Sequence, residues 1–304
     1  MRYANDGRGA LASVREDTMT LSWTVGDVTI RRVVELETPV PYSERYPFIK
    51  DAHPDALAEL SWLQPHFATP EGHLLSSVHA LLVEAPGLRL VVDTCLGNDK
   101  PRRMTGKRPL QTDFLERFAA QGCDPARVDA VLCTHLHVDH VGWNTRLKDG
   151  QWVPTFPNAR YLVSQTEHAY WLTSDEDEQR AIMQDSIQPI VSAGLLDLIA
   201  PDARLSPEIS LLPTPGHTPG HVSVHIESRG SRALITGDVL HHPCQMARPS
   251  WATPWDEDRG QAERTRASLL AQLADAEVLV IGTHFAAPTA GHVKRDGDTY
   301  RFQT

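Results

Sequence analysis

Cysteine is scarce in this 304-residue chain, and its spacing argues against a disulfide scaffold. The four cysteines, Cys95, Cys123, Cys133 and Cys244, lie far apart and form no C-x-x-C pair. Small secreted domains that depend on disulfides carry cysteines at a much higher density. We therefore expect four reduced thiols in this protein.

Basic residues are outnumbered, and long apolar segments are missing. The 29 lysines and arginines face 39 aspartates and glutamates, which gives a formal charge of −10. Nucleic-acid backbones are bound through basic surfaces, so this balance favours a small or neutral substrate instead. No segment approaches the roughly 20 apolar residues that a membrane span needs. The sequence thus predicts a small-molecule substrate and no nucleic-acid or membrane partner, and it is compatible with a homodimer.

The N-terminal segment lacks the apolar stretch that a signal peptide needs. Residues 1–18 are polar, and the first strand-like run begins directly after them. We expect a disordered leader over 1–18, one domain over 19–304, and a cytoplasmic protein. Residues 39–72 are rich in proline and aromatic residues and too long for a plain connection, which predicts an insertion or a lid.

Hydrophobic patterns place strand-like segments in two batches, with helical patterns between them. In the first batch, 78–85 and 88–94 are joined by Pro-Gly and predict a hairpin, and the DAVLCT segment that ends at Thr134 predicts a buried strand. The second batch comprises 209–212, 222–227, 232–236 and 278–281, and helical patterns occupy 176–193 and 259–274. This order predicts an α/β fold in which sheets pack on each other and helices cover them.

The most informative segment is THLHVDHVGWN, which contains His135, His137, Asp139 and His140. A chain with 15 histidines in 304 residues is expected to match H-x-H-x-D-H by chance only roughly 0.003 times. His135 and His137 alternate and can converge from one side of the backbone, whereas Asp139 and His140 turn toward a second point. Neutral imidazoles and carboxylates suit Zn²⁺, which needs about four donors. The segment therefore predicts a metal site that takes further donors from elsewhere.

Three later segments present such donors in the same way. An apolar strand runs into a glycine-containing turn and is followed by His217 in PTPGHTPGH, by Asp238 in TGD and by His284 in GTH. Glycine lets the backbone approach closely at such points. We expect these strand ends to converge with the 135–140 segment on one edge.

These motifs, THLHVDHVGWN, TPGHTPGH, TGDVLHH and GTHF, resemble in their order those of the metallo-β-lactamase-fold hydrolases. The resemblance covers the chain from about residue 75 to its end, and VVDT at 91–94 is similar to the segment that this family carries ahead of them. The family implies an αβ/βα four-layer sandwich. It also implies two divalent metal ions, expected to be Zn²⁺, with seven ligands. His135, His137 and His217 would bind one ion, Asp139, His140 and His284 the other, and Asp238 would lie between them.

The resemblance also implies a mechanism, in which a metal-bridging hydroxide attacks the substrate. Asp139 is the candidate to accept and pass on a proton. His241 is a second catalytic candidate that could reach the substrate. The best-known N-acyl-homoserine lactonases carry tyrosine at this position, three residues after the bridging aspartate, so the chain resembles more the subgroup of methyl-parathion-hydrolase-like enzymes.

Further residues are candidates for supporting roles. Asp93 and His221 are expected to hold ligands by hydrogen bonds from outside the metal site. Trp143, Trp251 and Trp255 lie in loops after ligands and are expected to wall a substrate pocket.

These observations favour a dinuclear zinc hydrolase that cleaves an ester or lactone in a small, partly apolar molecule. Three alternatives stay open: phosphotriester hydrolysis, thioester hydrolysis of the glyoxalase II type, and a non-catalytic metal-binding protein. The sequence does not select the natural substrate or the metal.

Overall fold

A computed structural model describes residues 21–304, so the leader predicted over 1–18 lies outside the described residues. The strands are β1 (Ser22–Val25), β2 (Val28–Val40), β3 (Leu74–Ala85), β4 (Leu88–Val92), β5 (Ala130–Cys133), β6 (Thr145–Lys148), β7 (Gln151–Pro154), β8 (Arg160–Ser164), β9 (Leu196–Ile199), β10 (Ile209–Pro213), β11 (Val222–Ser228), β12 (Ser231–Ile235), β13 (Val278–Ile281), β14 (Ala290–Asp296) and β15 (Thr299–Gln303). The helices are α1 (Pro54–Ala58), α2 (Phe114–Ala120), α3 (Gln165–Trp171), α4 (Asp177–Ile182), α5 (Gln188–Ser192), α6 (Cys244–Ala247) and α7 (Arg259–Leu273), with a π-helical turn at Met183–Ile187. The predicted α/β composition is confirmed.

The chain forms two compact units whose segments alternate along the sequence. Among the described residues, the first unit comprises 21–23, 28–36 and 78–200, and the second comprises 24–27, 37–77 and 201–304. That the two units act as the single domain predicted over 19–304 stays a prediction. No helix of the described chain is both long and apolar enough to cross a membrane.

The first unit is built on a seven-stranded sheet with the order β1-β2-β3-β4-β5-β8-β9. β3 and β4 form the predicted antiparallel hairpin, whereas β4, β5, β8 and β9 run parallel. Every residue of β5 is buried, as expected of a central parallel strand that is covered on both faces. The H-x-H-x-D-H segment begins two residues after β5 ends, so a rigid strand fixes where it starts.

The second unit contains a six-stranded sheet with the order β10-β11-β12-β13-β14-β15. β12 and β13 pair in parallel and end opposite each other, because Ile235 is in register with Ile281. Parallel strands have their carboxyl ends at the same edge of the sheet. The residues that follow β12 and β13 therefore begin side by side at that edge.

The apolar core of the second unit includes residues of α7 and of the 39–72 segment, which was predicted as an insertion. Leu270 of α7 packs in one apolar cluster with Leu63 and Phe67, which lie within the 39–72 segment. The segment is therefore anchored in the second unit, and its action as a lid stays a prediction.

Candidate metal centre

The first unit brings together the four side chains of the H-x-H-x-D-H segment. His135 Nε2 lies 3.1 Å from His137 Nδ1, and the rings of His135 and His140 are 4.0 Å apart between centroids. Asp139 Oδ1 lies 3.7 Å from His140 Nε2. His135 and His140 are buried, whereas His137 and Asp139 are half-buried. Two of the four donors thus keep part of their side chains exposed.

Asp93 fixes the orientation of His140. It follows β4 and is buried, and its carboxylate accepts hydrogen bonds from the backbone N–H and the hydroxyl of Thr134. Asp93 Oδ2 also lies 2.9 Å from His140 Nδ1. Because a carboxylate accepts and does not donate, Nδ1 carries the proton of the neutral ring. His140 therefore has its lone pair on Nε2.

In the second unit, Asp238 faces histidines with both carboxylate oxygens. Its Oδ1 lies 3.3 Å from His284 Nε2, and its Oδ2 lies 3.5 Å from His217 Nε2 and 3.1 Å from His241 Nε2. The ligand atoms of His217, Asp238 and His241 all lie within 4.8 Å of one another, close enough to hold a metal ion. Each oxygen of the Asp238 carboxylate thus faces at least one imidazole nitrogen.

Two of these histidines are oriented by an acceptor on their other nitrogen. His284 Nδ1 lies 2.9 Å from the backbone oxygen of Ser77, and His217 Nδ1 lies 2.9 Å from Asp256 Oδ1. Both contacts place the ring proton on Nδ1 and the lone pair on Nε2, toward Asp238. Burial lowers the pKa of His217 to about 4, so its imidazole is neutral at neutral pH, as a metal ligand must be.

Asp256 is the site residue that sequence reasoning missed. It lies in an irregular segment 39 positions after His217, with no strand or glycine turn next to it to mark it as a site residue. Arg266 of α7 is buried and has its NH2 3.6 Å from the other oxygen, Oδ2. Burial raises the pKa of Asp256, but the hydrogen bond with His217 and the neighbouring charges lower it to about 2.

His221 holds the backbone of Asp238. The backbone N–H of Asp238 donates to His221 Nε2 at 2.7 Å, so the proton of the neutral ring sits on Nδ1, 2.8 Å from Thr214 Oγ1. Gly237 makes this approach feasible, because its φ is +56° and a Cβ there would lie 2.5 Å from His221 Nε2. His221 thus uses both nitrogens within the protein and acts as a support for Asp238.

The predicted tryptophan wall requires a correction. Trp143 is 4% exposed, stacks on Phe114 and donates its Nε1–H to Glu35 at 2.7 Å, so it belongs to the core of the first unit. Trp251 is packed in the core of the second unit. Only Trp255 keeps an open face, at 41% exposed, and its ring lies 6.0 Å from that of Phe48.

The donor set fits divalent metal ions of the zinc type. It consists of neutral imidazoles and carboxylates, several of which are buried and oriented through their second polar atom. Such residues in protein interiors are the preferred ligands of Zn²⁺.

Comparisons with known proteins agree with the motifs. Residues 74–284 match the family model described as "Metallo-beta-lactamase superfamily". An N-acyl homoserine lactonase of Bacillus thuringiensis is 31% identical over 38% of this chain and 39% of its own length. The N-acyl homoserine lactonase AttM of Rhizobium radiobacter is 30% identical over 40% of this chain and 44% of its own. The match thus spans about two fifths of the length of these curated relatives.

Solved structures share the fold over nearly the whole chain. The hydrolase AbOPH of the β-lactamase superfamily is 25% identical, with a TM-score of 0.78 over 95% of this chain and 98% of its own. AidC, described as a dizinc quorum-quenching lactonase, is 19% identical, with a TM-score of 0.76 over 94% of this chain and 98% of its own. These likenesses confirm the predicted metallo-β-lactamase fold. The chain belongs to the metallo-β-lactamase superfamily.

Proposed function

We propose that this protein is a dinuclear, zinc-dependent hydrolase that cleaves a lactone or ester in a small, partly apolar molecule. The observation that carries the proposal is the Asp238 carboxylate, which faces His284 with one oxygen and His217 with the other. Curated relatives are N-acyl homoserine lactonases, and a structural neighbour is a dizinc lactonase, which supports both the metal content and the bond type.

We assign the ligands by analogy with the family pattern. His135, His137 and His217 would hold one ion, Asp139, His140 and His284 the other, and Asp238 would contact both. The fixed tautomers of His140, His217 and His284 support this assignment, because each ring has its Nδ1 tied to an acceptor.

Residues of the chain transfer the proton and position the imidazoles in the proposed reaction. Two divalent ions, when bound, lower the pKa of water and polarise a carbonyl oxygen. Asp139 is half-buried, so its carboxylate can accept a proton from the attacking water and deliver it to the leaving oxygen. Asp93 and Asp256 hold imidazoles in place and leave this exchange to Asp139.

An apolar surface beside the ligands suits the apolar part of the substrate. The ring of Phe48 lies 6.1 Å from His241 and 6.0 Å from the exposed Trp255. An acyl chain or aryl group that covers these rings would lose its contact with water, which favours binding. The cytoplasmic location, the absence of nucleic-acid and membrane partners, and a homodimer stay predictions.

A hydrolysis panel tests the bond type. The zinc-loaded protein is given lactones that differ in acyl length, an aryl ester, a phosphotriester, a β-lactam and a glutathione thioester. We expect lactone or ester cleavage that increases with acyl length. Turnover of only the phosphotriester or the thioester would replace the proposed activity with that alternative. Two bound ions with no turnover of any substrate would favour a non-catalytic metal-binding protein.

A further inference from the structure

His241 is a buried imidazole outside the seven-ligand pattern of the family. Its side chain is 2% exposed, and neither ring nitrogen forms a hydrogen bond within residues 21–304. A buried polar group without a hydrogen-bond partner destabilises the fold, so native proteins seldom leave one without a water, an ion or a ligand. Apart from the approach of Nε2 to Asp238, the described residues offer the ring nitrogens no hydrogen-bond partner.

The position of His241 is that of a ligand. Its Nε2 lies 3.1 Å from Asp238 Oδ2, which in turn lies 3.5 Å from His217 Nε2. Two neighbouring donors on one zinc ion at 2.0–2.1 Å lie roughly 3–3.5 Å apart, and both separations fall in that range.

The surrounding structure holds the ring in this place. The backbone N–H of His241 donates to Gln245 Oε1 at 2.7 Å, and Gln245 Nε2 donates to the backbone oxygen of Trp251 at 2.8 Å. The ring lies parallel to that of His284, with 5.8 Å between centroids, and Phe48 packs against it edge-on. The backbone of His241 is thus held by hydrogen bonds, and its ring is held by packing against Phe48 and His284.

We propose that His241 is itself a metal ligand, an additional donor to the ion that His217 and Asp238 hold. The inference rests on the proposed function only in requiring that a metal is bound there. It raises the number of protein ligands on that ion and so reduces the positions open to water and substrate.

His242 provides a matched control, because it is an adjacent and equally buried histidine with both nitrogens satisfied. Its Nε2 donates to the backbone oxygen of Phe67 at 2.7 Å, and its Nδ1 accepts from the backbone N–H of Cys244 at 3.1 Å. Replacement of His242 therefore removes two hydrogen bonds, and both ring nitrogens are already used within the protein.

The test compares H241L and H242L. Zinc affinity is measured by competition with a chromophoric chelator, the ligand field by the visible spectrum of the cobalt-loaded protein, and stability by the Tm of the metal-free protein. We expect H241L to lose zinc affinity at one site by at least about tenfold, to change the cobalt spectrum, and to keep or raise the metal-free Tm. H242L should lower the metal-free Tm and leave zinc affinity and the cobalt spectrum unchanged.

Other results would overturn the ligand role. Wild-type zinc affinity and an unchanged cobalt spectrum in H241L, with a raised KM or a lowered kcat, would make His241 a substrate contact, and the proposed function would stand. Unchanged affinity with a lowered metal-free Tm would make it a packing residue. If H241L does not fold, H241Q is measured in the same way. Failure of the wild-type protein to bind metal would reject the proposed function as well.

Discussion

Three imidazoles of the candidate centre are fixed by different acceptors. His140 uses the carboxylate of Asp93, His217 that of Asp256, and His284 a backbone oxygen. Each acceptor selects the Nδ1–H tautomer and limits rotation of the ring. The lone pairs on Nε2 are therefore oriented before a metal binds, so less conformational entropy is lost on binding.

Replacement of Asp256 tests this arrangement. D256N removes the negative charge beside His217 while keeping the size of the side chain, so we expect zinc affinity to fall roughly 10- to 100-fold. Chelator competition measures the change. D258N is the matched control, because Asp258 caps α7 through the backbone N–H of Gln261 and its side chain has no hydrogen bond to a predicted ligand within residues 21–304. D258N should leave zinc affinity intact and change stability little, because asparagine caps a helix about as well as aspartate; an equal loss of affinity in both variants would contradict a positioning role for Asp256.

Buried histidines predict how the metal-free protein responds to acid. Burial lowers the pKa of both His217 and His242 to about 4. In the unfolded chain these groups titrate near 6.5, so below that pH the unfolded state binds protons that the folded state does not. The free energy of unfolding should therefore fall as pH decreases from 6.5 to 4, by up to about 3 kcal/mol for each histidine.

Urea unfolding of the metal-free protein at pH 7 and pH 4.5 checks this prediction. H242L isolates one of the two histidines, and its stability should depend less steeply on pH than that of the wild type. Identical pH dependence of the two proteins would show that His242 does not contribute.

The turn after β12 positions Asp238 through a glycine. Gly237 has positive φ, and its missing Cβ leaves the space that His221 occupies. G237A should therefore combine backbone strain with a clash that displaces His221 and Asp238, lowering both Tm and zinc affinity. G230A is the control, since Gly230 also has positive φ but a Cβ there meets nothing within 4 Å. It should cost about 1 kcal/mol from strain and leave zinc affinity unchanged; equal affinities in both variants would contradict the positioning of Asp238.

The strands and the supporting residues differ in how well the sequence predicts them. The predicted strand over 278–281 and the helix over 259–274 correspond to β13 and α7, because local hydrophobic periodicity marks both. No local sequence pattern indicates Asp256, because its contact with His217 forms only when its loop folds against that histidine. Trp143 was wrongly expected in a pocket, because stacking on Phe114 depends on a partner 29 positions away.

The proposed ligands come from four distant segments, so metal binding at them should stabilise the folded protein. A metal that binds only the folded state adds about 2.7 kcal/mol per site when its free concentration is 100 times Kd. Treatment with a chelator should therefore lower Tm and abolish hydrolysis, and added zinc should restore both. Calorimetry and the activity assay follow the cycle, with a sample that receives chelator and excess zinc together as the control. Activity that survives complete removal of metal would contradict a metal-dependent mechanism.

The most direct test is anomalous diffraction at the zinc edge from crystals of the zinc-loaded protein. We expect two peaks, both bounded by side chains from the 135–140 segment and by His217, Asp238 and His284, with Asp238 in contact with both. The proposed dinuclear centre would be contradicted by the absence of peaks. It would also be contradicted by peaks remote from the 135–140 segment or from His217, Asp238 and His284.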